Sequence, residues 1–251
     1  MRMKRDGASL TLEPAGQFEL SGAPLKTLHE TADELKTHFQ EIKKAGEALG
    51  LGFLPIGFHP THSLEDMPIV PDKRHKKLRS HMPRLGERGR DVMYRTCTVQ
   101  VNLDYSSEQD MADKMRVSMA LQPIAIALWA NSPFEEGKKT DYLSLRSHCW
   151  TKMDETRTGF LPQAMEEGFC FQDFISFARN IPIYYIRRDF TVPDSFGLSF
   201  QDFINGTLPT LPKERATLKD WETHLSDIFT EVRLKKIIEM RGTDCGSPDM
   251  I

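Results

Sequence analysis

Hydrophobic and polar positions change period several times along the chain, and each change marks an element. Leu10 and Leu12 alternate with polar residues, Pro14-Ala15-Gly16 turns, and Gln17 to Ser21 alternates again. That pattern predicts a strand pair over Ser9 to Ser21. Pro24 is placed to open a helix whose apolar stripe is Leu25, Leu28, Ala32, Leu35, Phe39, Ile42 and Leu49, ending near Gly50. A short apolar strand is expected from Phe53 to Phe58, a proline-rich loop from His59 to Pro71, and a basic helix-like piece from Asp72 to Met82. Gly86 and Gly89 break that piece before Asp91 to Tyr105, which reads as the clearest strand. Ser107 caps a helix to Leu121; Pro123 kinks or ends it, and a second apolar piece runs to Ala130. Beyond a loop at Asn131 to Thr140, Phe171 to Asn180 and Leu218 to Phe229 read as helices and Ile183 to Arg187 as a strand. A last apolar run, Glu231 to Arg241, stops at Gly242. No repeat or linker divides residues 1–251, so a single α+β domain with an antiparallel or mixed sheet is expected.

Composition narrows the function classes. The 251 residues are 39% hydrophobic and 27% charged, with a formal net charge of -3. A globular chain follows, and a protein devoted to the phosphate backbone does not, so no nucleic-acid partner is expected. The longest nearly apolar run, Ala120 to Ala130, is too short to span a bilayer, so no membrane partner is expected. The basic start lacks the apolar stretch of a signal peptide. Cys97, Cys149, Cys170 and Cys245 are far apart and form no CxxC pair. That usage argues against a zinc site or disulfide framework and suggests a reducing, cytoplasmic home.

Candidate chemistry lies on a few segments. In the expected strand to Tyr105, period 2 puts Thr96, Thr98, Gln100, Asn102 and Asp104 on one face, and Cys97, Val99, Val101 and Leu103 on the other. The polar face is either an ordinary wet surface or the lining of a cleft. Glu19 shares its strand face with Gln17 and Ser21 and is either an exposed carboxylate or a ligand. Glu239, between Ile238 and Met240, needs a cation if it is buried. Brought together, two glutamates favour a hard divalent ion, Mg²⁺ or Mn²⁺. Arg74 and Arg146 can grip carboxylate or phosphate, or else serve as a solvated helix charge and a structural ion pair. His148 and Cys149 are adjacent, point apart as strand neighbours, and make a poor base–nucleophile pair. There is no Walker A loop, Rossmann fingerprint, HExxH or GxSxG; a nucleotide here would be held by metal and arginine.

Several strings occur together: Leu12-Glu13-Pro14-Ala15-Gly16-Gln17-Phe18-Glu19-Leu20-Ser21-Gly22, Arg95 to Asp104, Leu121-Gln122-Pro123-Ile124-Ala125, Ala130-Asn131-Ser132-Pro133-Phe134, Arg146-Ser147-His148, Glu231-Val232-Arg233-Leu234-Lys235 and Glu239-Met240-Arg241-Gly242. In this order and spacing the chain resembles glutamate–cysteine ligase of the type shared by plants and proteobacteria. The resemblance implies a fold similar to glutamine synthetase, with a curved sheet lining the site and helices outside. It implies that ATP phosphorylates the side-chain carboxylate of glutamate, and that the amine of cysteine then attacks the γ-glutamyl phosphate. By the same resemblance Glu19 and Glu239 are metal ligands, Gln100 and Asn102 lie at metal and nucleotide, Arg241 meets phosphate, and Arg74 and Arg146 hold glutamate. The family's early glutamate-x-glutamate strand and later helical region have no match here. The chain is therefore expected to be the central piece of a longer enzyme, inactive alone. A related ligase with another acceptor amine, and a non-catalytic remnant, are the alternatives. Plant members carry a redox cysteine pair where this chain has Ser195 and Thr210, so that switch is expected to be absent.

Overall fold

A computed structural model describes residues 2–71, 79–186, 188 and 194–250. In chain order it contains β1 (Arg2–Arg5), β2 (Ala8–Leu12), β3 (Phe18–Ser21), α1 (Leu28–Leu49), α2 (Gly89–Tyr94), β4 (Val101–Leu103) and α3 (Glu108–Leu128). There follow β5 (Phe134–Glu135), β6 (Lys138–Lys139), α4 (Leu145–Trp150), β7 (Thr158–Gly159), α5 (Phe171–Asn180), α6 (Phe200–Asn205), α7 (Leu218–Ser226), β8 (Phe229–Thr230), β9 (Val232–Leu234) and β10 (Ile238–Met240). The class is mixed α and β, as expected. Among the described residues the strands form small separate sheets, β1-β2-β3, β4-β10-β9, β5-β6 and β7-β8, in place of the one curved sheet anticipated. All pair antiparallel except β7 with β8.

The sheet β4-β10-β9 organises the largest core. Glu239 stands opposite Asn102 on one side and Arg233 on the other. Period 2 then turns Val232, Leu234 and Ile238 to the opposite face. There they are buried with Met111, Met115 and Met119 of α3 and with Phe174 and Ala178 of α5. Ser107 caps α3, its Oγ accepting from the Asp110 amide at 3.1 Å. Pro123 does not end the helix: it forfeits one backbone bond, and α3 continues through it to Leu128.

Other expectations are corrected. α1 starts at a capping box rather than at Pro24, with the Thr27 hydroxyl accepting from the Glu30 amide and the Glu30 carboxylate from that of Thr27. Leu35, Phe39 and Ile42 of its stripe are half-buried, but Leu28 and Leu49 are exposed. The segment Asp91–Tyr105 is not one strand: it begins in α2, and only Val101–Leu103 is strand. Asp91 explains the difference, because its carboxylate pairs with Arg88 (3.0 Å) and Arg95 (2.8 Å), three and four residues away. That spacing rewards a helical turn over the β preference of Val92 and Tyr94. Phe53–Phe58 contributes only a bridge from Phe58 to Thr96, in a stretch interrupted by Gly52, Pro55 and Gly57. Ile183 exchanges backbone bonds with Leu198 and Gly197 without forming a strand, and Arg187 lies outside the described residues. The expected loop at Asn131–Thr140 holds the β5-β6 hairpin. The expected helix to Phe229 stops at Ser226, before β8.

His224 of α7 is buried, stacked on Phe200 with ring centroids 4.1 Å apart, and its Nε2 lies 2.8 Å from the Ala178 carbonyl oxygen. Burial lowers its pKa from 6.5 to about 4. A base depressed in the folded state stabilises the fold fully above its unfolded pKa, and that contribution is lost as pH falls through the folded value. Between pH 6.5 and 4, His224 should therefore cost roughly 3 kcal/mol of stability, at about 1.4 kcal/mol per pH unit. Urea midpoints across this range should fall more steeply for wild type than for His224→Phe. Parallel curves would contradict the assignment.

Candidate functional site

The site grows out of the segment that leaves β10. Glu239 is buried, and its carboxylate is gripped by Arg233 Nε at 2.7 Å and Arg241 Nη1 at 3.1 Å, with Lys235 Nζ at 3.6 Å. Burial alone would raise its pKa, but these three cations hold it below the ordinary value. Arg233 is fixed in turn by the carbonyls of Ser226 (2.7 Å) and Ile228 (3.0 Å). Arg241 lies two residues beyond Glu239, with its guanidinium 6.0 Å from the Trp150 ring centre and 5.7 Å from that of Phe229. Desolvation and the nearby Arg233 bring the Arg241 pKa down to about 9.

Arg146 belongs to the short helix α4, not to a strand. Ser144 caps that helix, its Oγ accepting from the Ser147 amide at 3.1 Å. The Arg146 side chain is buried and makes no close ion pair among the described residues. Its Nη1 donates to the Gly242 carbonyl and its Nη2 to that of Arg241, each at 2.8 Å. Loss of hydration lowers its pKa, with Asp244 the largest opposing influence. Its Nε and the Trp150 Nε1 are buried and have no hydrogen-bond partner among the described residues.

The same segment is tied down from all sides. The Gly242 amide donates to Gln122 Oε1 at 3.0 Å, and Thr98 Oγ1 donates to the Thr243 carbonyl at 2.7 Å. Buried Asp244 accepts from the Asn131 amide (2.7 Å), Ser132 Oγ (2.6 Å) and Ser144 Oγ (2.8 Å). A Cβ at position 242 would stand 2.3 Å from Gln122 Oε1 and 3.3 Å from Glu231 Oε2, so a larger residue there must displace the buried Gln122 amide.

Arg146, Trp150, Phe229, Glu231, Arg241 and Gly242 surround a small cavity. Beside it, and sharing Trp150 and Glu231, is a cleft of about 290 Å³. Glu231 was not singled out in the sequence; only its place in the Glu-Val-Arg-Leu-Lys string marked it. Burial raises its carboxyl pKa, and Arg146 opposes the rise.

Glu19 lies on β3, in a different sheet from Glu239. Its surface is exposed, yet partial loss of hydration and then the Glu13 charge raise its pKa, while Ser21 and Arg241 lower it; Glu239 adds a small further rise. The two glutamates and Arg241 thus share one electrostatic neighbourhood across two sheets. Asn102 is exposed opposite Glu239, and Gln100 is exposed just before β4. Val101, expected on the covered face, is exposed as well. Among the described residues no group of three or more His, Cys, Asp or Glu side chains is arranged to hold a metal. Arg74 lies outside the described residues. His148 and Cys149 lie on α4, where His148 stacks on Tyr142 at 3.9 Å and burial pushes the Cys149 thiol up to about 12. Buried Ser195 and exposed Thr210 bring their hydroxyl oxygens within 2.9 Å of each other, a pair with no disulfide chemistry.

Residues 2–250 match the family described as Glutamate-cysteine ligase family 2. The chain is 53% identical over 244 residues to chloroplastic glutamate–cysteine ligase A of Oryza sativa subsp. japonica, covering 97% of this chain and 50% of that protein. It is 52% identical to the chloroplastic glutamate–cysteine ligase of Solanum lycopersicum and 51% identical to that of Arabidopsis thaliana, covering 97% of this chain and 47% of each relative. The chain spans about half the length of the curated relatives it matches. The chloroplastic relatives overturn the cytoplasmic expectation. Unpaired cysteines suit any reducing compartment, so cysteine usage could not separate one from another. Among the described residues no helix is long and apolar enough to cross a membrane.

The glycine contact is testable. Gly242→Ala should displace Gln122, break its bond to the 242 amide, and cost about 1–3 kcal/mol in urea denaturation. A variant as stable as wild type would show that Gln122 yields without loss.

Proposed function

Because the chain belongs to glutamate–cysteine ligase family 2, we propose that it carries the glutamate-activating part of an ATP-dependent ligase. In this reading the side-chain carboxylate of glutamate is phosphorylated, the cysteine amine displaces phosphate, and γ-glutamylcysteine forms as the first step of glutathione synthesis. One observation supports it most: buried Arg146 and partly buried Arg241 border a cavity where the Arg146 Nε and Trp150 Nε1 donors lack partners among the described residues. Unsatisfied buried donors beside excess positive charge suit an anionic ligand. Arg146 and Trp150 would orient a substrate carboxylate. Arg241 would stabilise negative charge as phosphate is transferred, acting within a buried setting where such interactions are strong. Aromatic rings and the anchored 241–244 backbone hold that charge in position and restrict water.

Mg²⁺ or Mn²⁺ belongs to the same proposal, with Glu19 and Glu239 as carboxylate ligands and Gln100 and Asn102 as neutral oxygens nearby. The donors fit, since Glu239 Oε1 meets only Lys235, at 3.6 Å, and Glu19 has no close cation among the described residues. Magnesium commonly uses one or two carboxylates and completes its shell with water and substrate phosphate. When bound, such an ion would screen the phosphate charges. Arg74 is assigned to glutamate by resemblance alone. The glutamine-synthetase-like architecture is likewise part of the proposal, supported by the family and by the two neighbouring sheets that bring Glu19 toward Arg241.

Calorimetric titration tests this reading. The chain should bind L-glutamate, and Arg146→Lys, which removes the planar fork, should weaken glutamate by roughly ten-fold or more and Mg²⁺-ATP by clearly less. A folded wild-type chain that does not bind glutamate, or an equal loss for both ligands, would overturn the role of Arg146.

A further inference from the structure

Resting on the ligase reading above, we propose that Glu231 receives the acceptor amine, holding its ammonium group in the 290 Å³ cleft and taking the proton it must lose before attack. Glu231 is the acidic side chain common to both spaces. On one side it borders the Arg146–Arg241 cavity; on the other it borders the cleft walled by Trp150, Phe160, Thr151 and Thr158. Its backbone is pinned twice, the amide donating to the Gly159 carbonyl at 2.9 Å and the carbonyl accepting from the Arg241 amide at 2.9 Å. The side chain therefore starts from a fixed point between the two spaces.

Its carboxylate is also uncommitted, accepting no hydrogen bond among the described residues. Nearby acids differ. Glu239 is gripped by three cations, and Asp154 is bound by Arg157 at 2.8 Å and Thr156 at 2.7 Å. Glu155 borders the cleft alone and is exposed. The charges facing the junction are Arg146 and Arg241 on the cavity side and Glu155 on the cleft side. An acyl phosphate is drawn to the arginines, whereas an ammonium group is repelled by them and drawn to the carboxylates. Partial burial adds basicity to Glu231.

The step balances. The ammonium group gives one proton to the Glu231 carboxylate, and the freed nitrogen lone pair attacks the acyl carbon. The C–N bond forms, the C–O bond to phosphate breaks, and phosphate leaves with that electron pair. The remaining excess amine proton leaves with the departing phosphate.

The test uses the 251-residue chain and two readouts. In calorimetry, wild type should bind L-cysteine and L-glutamate but not N-acetylcysteine, which lacks the ammonium group. Glu231→Gln should weaken cysteine by roughly ten-fold or more and leave glutamate unchanged. Against the inactivity that the resemblance implies for this chain, the proposed role of Glu231 requires turnover: with ATP, Mg²⁺ and glutamate, cysteine-dependent ADP release should be measurable for wild type and fall by about 10²–10⁴ in Glu231→Gln. Hydroxylamine, already unprotonated at neutral pH, should still give the hydroxamate at the wild-type rate. If Glu231→Gln does not fold, Glu231→Asp should retain cysteine binding and shift the rate ratio toward hydroxylamine. Wild type that binds glutamate while cysteine fails to bind, or binds the variant equally well, overturns the role of Glu231. Wild type that binds neither overturns the ligase reading itself.

Discussion

The site depends on one interaction: a buried arginine spends its planar fork on main chain. Arg146 donates to the carbonyls of Arg241 and Gly242 at 2.8 Å each. Carbonyls at the end of a strand need partners when buried, and an arginine satisfies two at once in a fixed plane. This sets the direction in which the chain leaves β10. Arg241 is thereby held beside Trp150 and Phe229, and Glu231, whose carbonyl accepts from the Arg241 amide, is held at the edge of the cleft. Asp244 extends the anchoring to Asn131, Ser132 and Ser144, so segments distant in sequence meet at a few residues.

Charge at this point is deliberately uneven. Arg233, Lys235 and Arg241 gather around one well-paired carboxylate, Glu239, while Arg146 lies in the field of Asp244 and Glu231 without a close ion pair among the described residues. Arg241 has its pKa lowered to about 9 because it is buried near other cations. Removing charged groups from water costs free energy unless they are paired, and here the pairing within the chain is incomplete. An anionic substrate would complete it. The same imbalance explains why a positively charged amine would have to approach by way of Glu231.

Much of this was legible in sequence, for identifiable reasons. The helix from Ser107 follows from its cap and the helix Phe171–Asn180 from its run of helix-compatible residues, both local signals. The strand pair around Pro14-Ala15-Gly16 follows from alternation about a turn. Asp91–Tyr94 misled because β-favouring side chains sit inside a charge spacing that favours helix, and the ion pairs prevail. Glu19, Arg146, Glu239 and Arg241 stood out through their strings, but the strings do not say what each side chain touches. That Arg146 grips carbonyls is a long-range fact, set by the return of residues 241 and 242 to α4. Glu231 went unassigned because a partly buried acid in a short strand connection carries no local pattern; its meaning comes from the cleft on either side.

Amide hydrogen exchange in Arg146→Lys tests the central claim most directly. Lysine keeps the charge but cannot span both carbonyls. If Arg146 positions the segment, the amides of residues 241–245 should exchange much faster than in wild type, while those of α3 and α5 keep their protection. Unchanged protection across 241–245 would contradict the account and assign the placement of the segment to Gln122 and Asp244 instead.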